Sequence, residues 1–140
     1  MVPRRPRVCI VSPALAEANN GNWHTASRWQ KFLAPVADVQ IVLAWEGAPA
    51  DALIALHARR SAASIERFRA AHPCAPLALV MTGTDLYRDI REDGGAQHAL
   101  QCASHVVVLQ DEGLAALPMD VRARSRVIVQ SATKRARCDL

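Results

Sequence analysis

Short apolar runs alternate with amphipathic segments along most of the chain of 140 residues. The runs are rich in Val, Ile and Leu and end at polar or proline positions, which is typical of strands buried on both faces of a sheet. They predict six strands, over residues 8–11, 39–43, 52–56, 77–81, 106–109 and 127–129. Helical periodicity between them predicts helices over residues 23–34, 62–72 and 96–103, with a weaker helical segment over residues 112–125.

Local signals mark the ends of the first two helices. An apolar stripe at helical spacing begins at Trp29 and ends at Val36, on one side of the first helix. Pro35 disfavours helical geometry at the residue before it, so this helix is expected to end there. Ser61 directly precedes the second helix and is the residue type that most often caps a helix N-terminus.

Strands that alternate with helices in this way indicate an α/β fold. We predict a Rossmann-like, doubly wound and mostly parallel sheet of about six strands with helices on both faces. Residues 7–132 contain the whole pattern and form one domain, preceded by a basic leader over residues 1–6 and followed by a basic tail over residues 133–140. No apolar run approaches the roughly 20 residues that a membrane-spanning helix needs, which argues against a membrane partner.

The distribution of charge argues against a nucleic-acid partner. The net charge of +4 comes from the two ends of the chain, and residues 8–132 together carry −1. A protein that binds nucleic acid more often concentrates basic residues on one face or helix. The sequence therefore favours a small-molecule ligand.

The cysteines indicate a reducing compartment and no metal site. The sequence has four of them, Cys9, Cys74, Cys102 and Cys138, far apart and without short spacing to one another or to a matching histidine. Zinc sites usually have paired ligands at short spacing, so we expect buried thiols and no bound metal. A cytoplasmic location is the expectation that follows.

Polar residues collect where the predicted strands end. In an open parallel sheet, ligands bind beyond the carboxyl ends of the strands. The first such connection contains Asn20, Gly21, Asn22 and Thr25, where a glycine allows close approach and a helix N-terminus attracts phosphate. It is neither a G-x-G-x-x-G nor a Walker sequence, which argues against a nicotinamide cofactor. A plain loop with an asparagine cap is the alternative.

Two further connections carry similar chemistry. After the fourth strand come Gly83, Thr84, Asp85 and Arg88, which offer hydroxyl groups, a carboxylate and a guanidinium to a sugar or an anion. A capped turn with a surface salt bridge is the alternative here.

The third strand is followed by a histidine and two arginines. His57 is placed to donate to a developing charge, and Arg59 or Arg60 to neutralise phosphate. Surface arginines at a helix start are the alternative reading of the same residues.

Three segments resemble a known family. They are NNGNWHTASRW at residues 19–29, LHARRSA at residues 56–62 and TGTDLYRDI at residues 82–90. In this order they look like the N-terminal half of the selenosugar synthases of selenoneine biosynthesis, GT-B glycosyltransferases related to glycosyltransferase family 4. The shorter segments 107–110 and 129–132 also fit, so the resemblance runs from about residue 7 to residue 132.

The resemblance implies an activity and a set of site residues. The family joins selenophosphate to a UDP-sugar and forms a carbon–selenium bond at the anomeric carbon, with both molecules as substrates and without a cofactor. It implies that His57 and Asp85 order the reacting groups. Substrate-binding roles are implied for Asn20, Gly21, Asn22, Thr25, Arg59, Gly83, Thr84 and Arg88.

The resemblance also implies a second, C-terminal domain that binds most of the nucleotide-sugar in GT-B enzymes. Residues 133–140 do not resemble the linker to such a domain. We expect residues 1–140 alone to lack appreciable transferase activity unless a separate chain supplies the missing half. A non-catalytic module that binds a phosphorylated small molecule is the alternative function.

Overall fold

Six strands form one parallel sheet. The computed structural model describes residues 5–12, 21–81, 90–109, 112–115 and 117–128. The strands are Arg7–Val11 (β1), Asp38–Val42 (β2), Ala52–Leu56 (β3), Leu77–Met81 (β4), His105–Val108 (β5) and Ser125–Val127 (β6). They pair in the order β2-β1-β3-β4-β5-β6, and every neighbouring pair is parallel. This confirms the predicted Rossmann-like α/β fold.

Helices cover both faces of the sheet. Those within the described residues are Gly21–Leu33 (α1), Ala62–Ala71 (α2), Ile90–Glu92 (α3), Gly94–Cys102 (α4), Glu112–Ala115 (α5) and Met119–Arg122 (α6). On one face, Ala26 of α1 packs with Ile10 and Leu56. On the other face, α2 and α4 pack against the strand residues that alternate with these, and Phe68 and Leu100 lie in that second cluster.

The strand order creates a crevice between β1 and β3. The chain leaves β1 through α1 to reach β2 on one side, and then returns past β1 to β3 on the other side. The connections from these two neighbouring strands therefore diverge to opposite faces of the sheet. Such a switch point is where ligands bind in open parallel sheets, outside the carboxyl ends of the strands.

The ends of several elements differ from their predicted positions. The helical segment predicted over residues 112–125 is interrupted, because Pro118 lacks an amide hydrogen and sits at the start of α6. The helix predicted from residue 96 begins at Gly94, where the Asp93 carboxylate accepts a hydrogen bond from the Ala96 amide at 2.8 Å. Strand β6 ends at Val127 and not at the predicted residue 129.

Cys9 lies in the core, in the middle of β1, and makes stability depend on pH. Its side chain is 2% exposed, and burial raises the pKa of the thiol from 9.0 to about 11. The folded state therefore holds this proton more tightly than the unfolded state. The corresponding stabilisation is complete below pH 9 and is lost as the pH rises towards 11, by roughly 2–3 kcal/mol.

The Cys9→Val variant isolates this contribution. Urea unfolding of the reduced protein between pH 8 and pH 11 is expected to show a steeper loss of stability for the wild type than for the variant, because valine carries no proton to lose. Parallel curves for the two proteins would show that Cys9 titrates normally in the folded state.

Candidate functional site

Two buried polar residues stand at the carboxyl edge of the crevice. Ser12 directly follows β1 and is fully buried, and its amide donates to the Val42 carbonyl at 2.9 Å. His57 directly follows β3 and is 5% exposed. Since β1 and β3 are paired in parallel, these residues mark the same end of two adjacent strands.

The N-terminus of α1 lies at the same edge. Residues 34–37 join the end of α1 to the start of β2, so α1 ends at the amino edge of the sheet. Its 13 residues span about 20 Å, enough to cross the sheet beside a strand of five residues. Gly21 and Asn22 therefore begin the helix at the carboxyl edge, and Thr25 is buried on its second turn.

His57 adopts a backbone conformation that few residues other than glycine adopt. Its φ of 71° lies in the left-handed region, where a non-glycine side chain is strained. Three hydrogen bonds hold this turn: the His57 amide donates to the Val80 carbonyl at 3.0 Å, its carbonyl accepts from the Ser61 amide at 3.0 Å, and its Nδ1 accepts from the Arg60 amide at 3.3 Å. A neutral ring that accepts at Nδ1 carries its hydrogen on Nε2, so it is a donor there.

The turn after His57 connects β3 directly to α2 and carries two exposed cations. Arg59 and Arg60 are both exposed at the carboxyl edge. Ser61 occupies the position that precedes α2, as predicted, but its side chain does not cap the helix. Its hydroxyl instead donates to the Leu56 carbonyl at 2.5 Å, which ties the turn to the end of the strand.

The crevice is thus bordered from opposite faces of the sheet. The first turns of α1 lie on one side and the His57–Arg60 turn lies on the other. Helix N-termini and guanidinium groups both attract oxyanions, and a neutral histidine can donate a directional hydrogen bond. The arrangement is suited to a small anionic ligand such as a phosphate ester.

The predicted site residues fall into two groups. Gly21, Asn22, Thr25, His57 and Arg59 lie at the carboxyl edge of the sheet, at the ends of β1 and β3. The remaining predicted residues, Asn20, Gly83, Thr84, Asp85 and Arg88, lie outside the described residues. The roles of both groups in binding or catalysis stay predictions.

Ser12 and Ser61 also lie at this edge and are not among the predicted site residues. Ser12 was visible as a polar residue at the end of a buried strand, and Ser61 only as a helix cap. The sequence signal for such residues is a serine or threonine next to a turn between a strand and a helix. Backbone carbonyl and amide groups in such a turn lack partners within the strand or helix, and a short hydroxyl side chain can form hydrogen bonds with them.

The described ranges contain no group of three or more His, Cys, Asp or Glu side chains that could hold a metal ion. None of the helices in those ranges has the length and apolar character required to cross a membrane. Comparison of the chain with models of protein families and with curated proteins found no match.

Proposed function

We propose that this chain is the acceptor-side domain of a glycosyltransferase that joins selenophosphate to a UDP-sugar. The resemblance of its three sequence segments to selenosugar synthases supports this function, and the Rossmann-like fold is compatible with it. The observation that carries the proposal is the convergence of the α1 N-terminus and the His57–Arg60 turn on the crevice between β1 and β3. Selenophosphate would bind there through its oxygen atoms.

In the transfer of the sugar from UDP to selenophosphate, the main role of the protein is to bind and orient charged groups. A selenium lone pair attacks the anomeric carbon, the carbon–selenium bond forms, and the bond from that carbon to the diphosphate oxygen breaks, with its electron pair leaving on UDP. Selenophosphate is already an anion, so the step needs no strong general base. Arg59 would neutralise the approaching anion, and the Nε2 hydrogen of His57 would orient it.

Removing one cation from the crevice tests the proposed ligand. We expect the full chain to bind thiophosphate, a close analogue of selenophosphate, and Arg59→Ala to weaken binding about threefold to tenfold, because an exposed charge contributes about 1 kcal/mol to holding an anion. Isothermal titration at fixed ionic strength measures both affinities. Arg126→Ala removes the same charge from an exposed position on β6 and should leave the affinity unchanged.

Turnover separates the transferase from a non-catalytic module that binds a phosphorylated small molecule. The chain is mixed with selenophosphate, a UDP-sugar and a donor-binding GT-B half supplied as a separate chain. Mass spectrometry quantifies UDP and the sugar selenophosphate, in which selenium links the anomeric carbon to phosphorus. Equal amounts of both products support the transferase. Saturable thiophosphate binding without turnover supports the binding module, and equal weakening by Arg59→Ala and Arg126→Ala contradicts the location of the site.

A further inference from the structure

A histidine and a cysteine lie side by side on α4, away from the crevice. His98 Nε2 and Cys102 Sγ are 3.4 Å apart, one helical turn from each other. His98 is exposed and Cys102 is half-buried against the core, so the pair faces solvent on one side. Imidazole nitrogen and thiolate sulfur are the two protein ligands that zinc-like cations prefer.

The distance between the two atoms matches that of ligands on one tetrahedral cation. Zinc binds sulfur at about 2.3 Å and imidazole nitrogen at about 2.0 Å, which places the two ligand atoms about 3.5 Å apart at a tetrahedral angle. His98 and Cys102 already have this separation. The hydrogen bond between the two side chains thus holds their atoms at a separation that is compatible with binding to one cation.

Hydrogen bonds at both ends of α4 fix the backbone of the helix that carries the pair. Asp93 caps the first turn through the Ala96 amide. In the last turn, the Cys102 carbonyl accepts from Arg69 Nε at 3.0 Å, and the Leu100 carbonyl accepts from Arg124 Nη2 at 2.7 Å. A backbone that is already ordered loses little conformational entropy when its side chains bind a ligand.

Opposite charges surround the thiol. Burial raises the pKa of Cys102, the nearby Arg69 cation lowers it, and the Glu66 carboxylate raises it. The Glu66 charge therefore offsets part of the repulsion that Arg69 exerts on a bound cation.

We propose that His98 and Cys102 form a two-ligand site for a borderline divalent cation of the zinc and cobalt class. The cation bonds to Cys102 Sγ and His98 Nε2, the thiol proton is released to solvent, and water fills the remaining positions. No third ligand stands beside the pair within the described ranges, so the site is open and weaker than a closed structural zinc site. This inference does not depend on the proposed transferase function.

Titration of the reduced full chain with Co²⁺ tests the site. Absorption from charge transfer between thiolate and Co²⁺ is expected to saturate at one Co²⁺ per chain and to disappear when Zn²⁺ is added in excess. Cys102→Ser should abolish this absorption, and His98→Ala should weaken binding roughly tenfold or more. Cys74→Ser is the matched control, because Cys74 is an exposed free thiol and should not affect the signal.

Circular dichroism of each variant shows whether the fold is retained. Saturation that Cys102→Ser abolishes, His98→Ala weakens and Cys74→Ser preserves would support the site. The proposal is overturned if no thiolate absorption appears at millimolar Co²⁺, if Cys102→Ser retains it, or if folded His98→Ala binds as tightly as the wild type.

Discussion

Replacing Phe68 by alanine is expected to lower the free energy of unfolding by about 3–5 kcal/mol, the largest stability effect that we predict for this chain. Phe68 lies on α2, is fully buried, and belongs to the core between α2 and the sheet. Its ring makes an edge contact with Trp45 at a centroid distance of 5.2 Å and a tilted contact with His72 at 4.8 Å. The substitution removes both contacts and leaves a cavity.

Trp45 is prevented from moving into that cavity by three hydrogen bonds. Its amide donates to Ser64 Oγ at 3.0 Å, its Nε1 donates to the Ala48 carbonyl at 2.9 Å, and its carbonyl accepts from Arg67 Nη1 at 2.6 Å. A core that cannot relax around a missing side chain loses more stability than one that can.

Urea unfolding measures the effect, with Phe32→Ala as the matched control. Phe32 is 63% exposed on α1, so its removal should change the free energy of unfolding by less than about 1 kcal/mol. Similar losses in the two variants would show that the packing of Phe68 does not anchor α2 to the sheet.

Replacing His57 by alanine is expected to weaken thiophosphate binding about 10- to 100-fold, the largest effect on binding that we predict. The variant loses the proposed Nε2 donor to the anion. It also loses the Nδ1 acceptor of the Arg60 amide, which helps to fix the turn that carries both arginines. A titration calorimeter measures the affinity, and thermal unfolding reports the stability of the turn.

His57→Asn separates the two contributions. Asparagine tolerates a positive φ better than most residues, and its side-chain oxygen can accept from a nearby amide, so the turn should keep its conformation. We expect this variant to unfold at nearly the wild-type temperature and still to bind thiophosphate weakly. Wild-type affinity in both variants would exclude His57 from the site.

The strands in the middle of the sheet were the most predictable elements. The bounds of β3 and β4 coincide with the predictions, because a strand buried on both faces is a continuous apolar run whose ends are polar or proline. Strand β6 and the interrupted helix before it were placed less accurately. These elements lie at the edge of the sheet, where shorter segments and a proline weaken the periodic signal.

The location of the crevice could be expected from the sequence only in part. The polar ends of the strands were visible, but which strands are neighbours depends on long-range pairing that a local pattern does not encode. The positive φ of His57 had no signal either, because glycine or asparagine usually marks such a position.

The sequence analysis expected no cysteine with a histidine at a matching spacing, and the structure brings His98 Nε2 and Cys102 Sγ to 3.4 Å from each other. A role of this pair in binding a metal stays a prediction. His98 and Cys102 are four positions apart in the sequence, a spacing that brings their side chains together when the segment is helical. The sequence pattern predicted that helix over residues 96–103, but the expectation of no metal site rested on the short spacings typical of zinc ligands and not on the helical spacing of four. The predicted helix together with the spacing of four positions would have predicted the contact between His98 and Cys102.

Amide resonances observed by NMR during a thiophosphate titration test most directly whether the crevice between β1 and β3 binds an oxyanion. We expect saturable shifts concentrated in two segments, Gly21–Thr25 at the start of α1 and His57–Ser61 after β3, with amides of α4 and β6 unchanged. Saturable shifts confined to the amino edge of the sheet, or no shifts at millimolar thiophosphate, would contradict it.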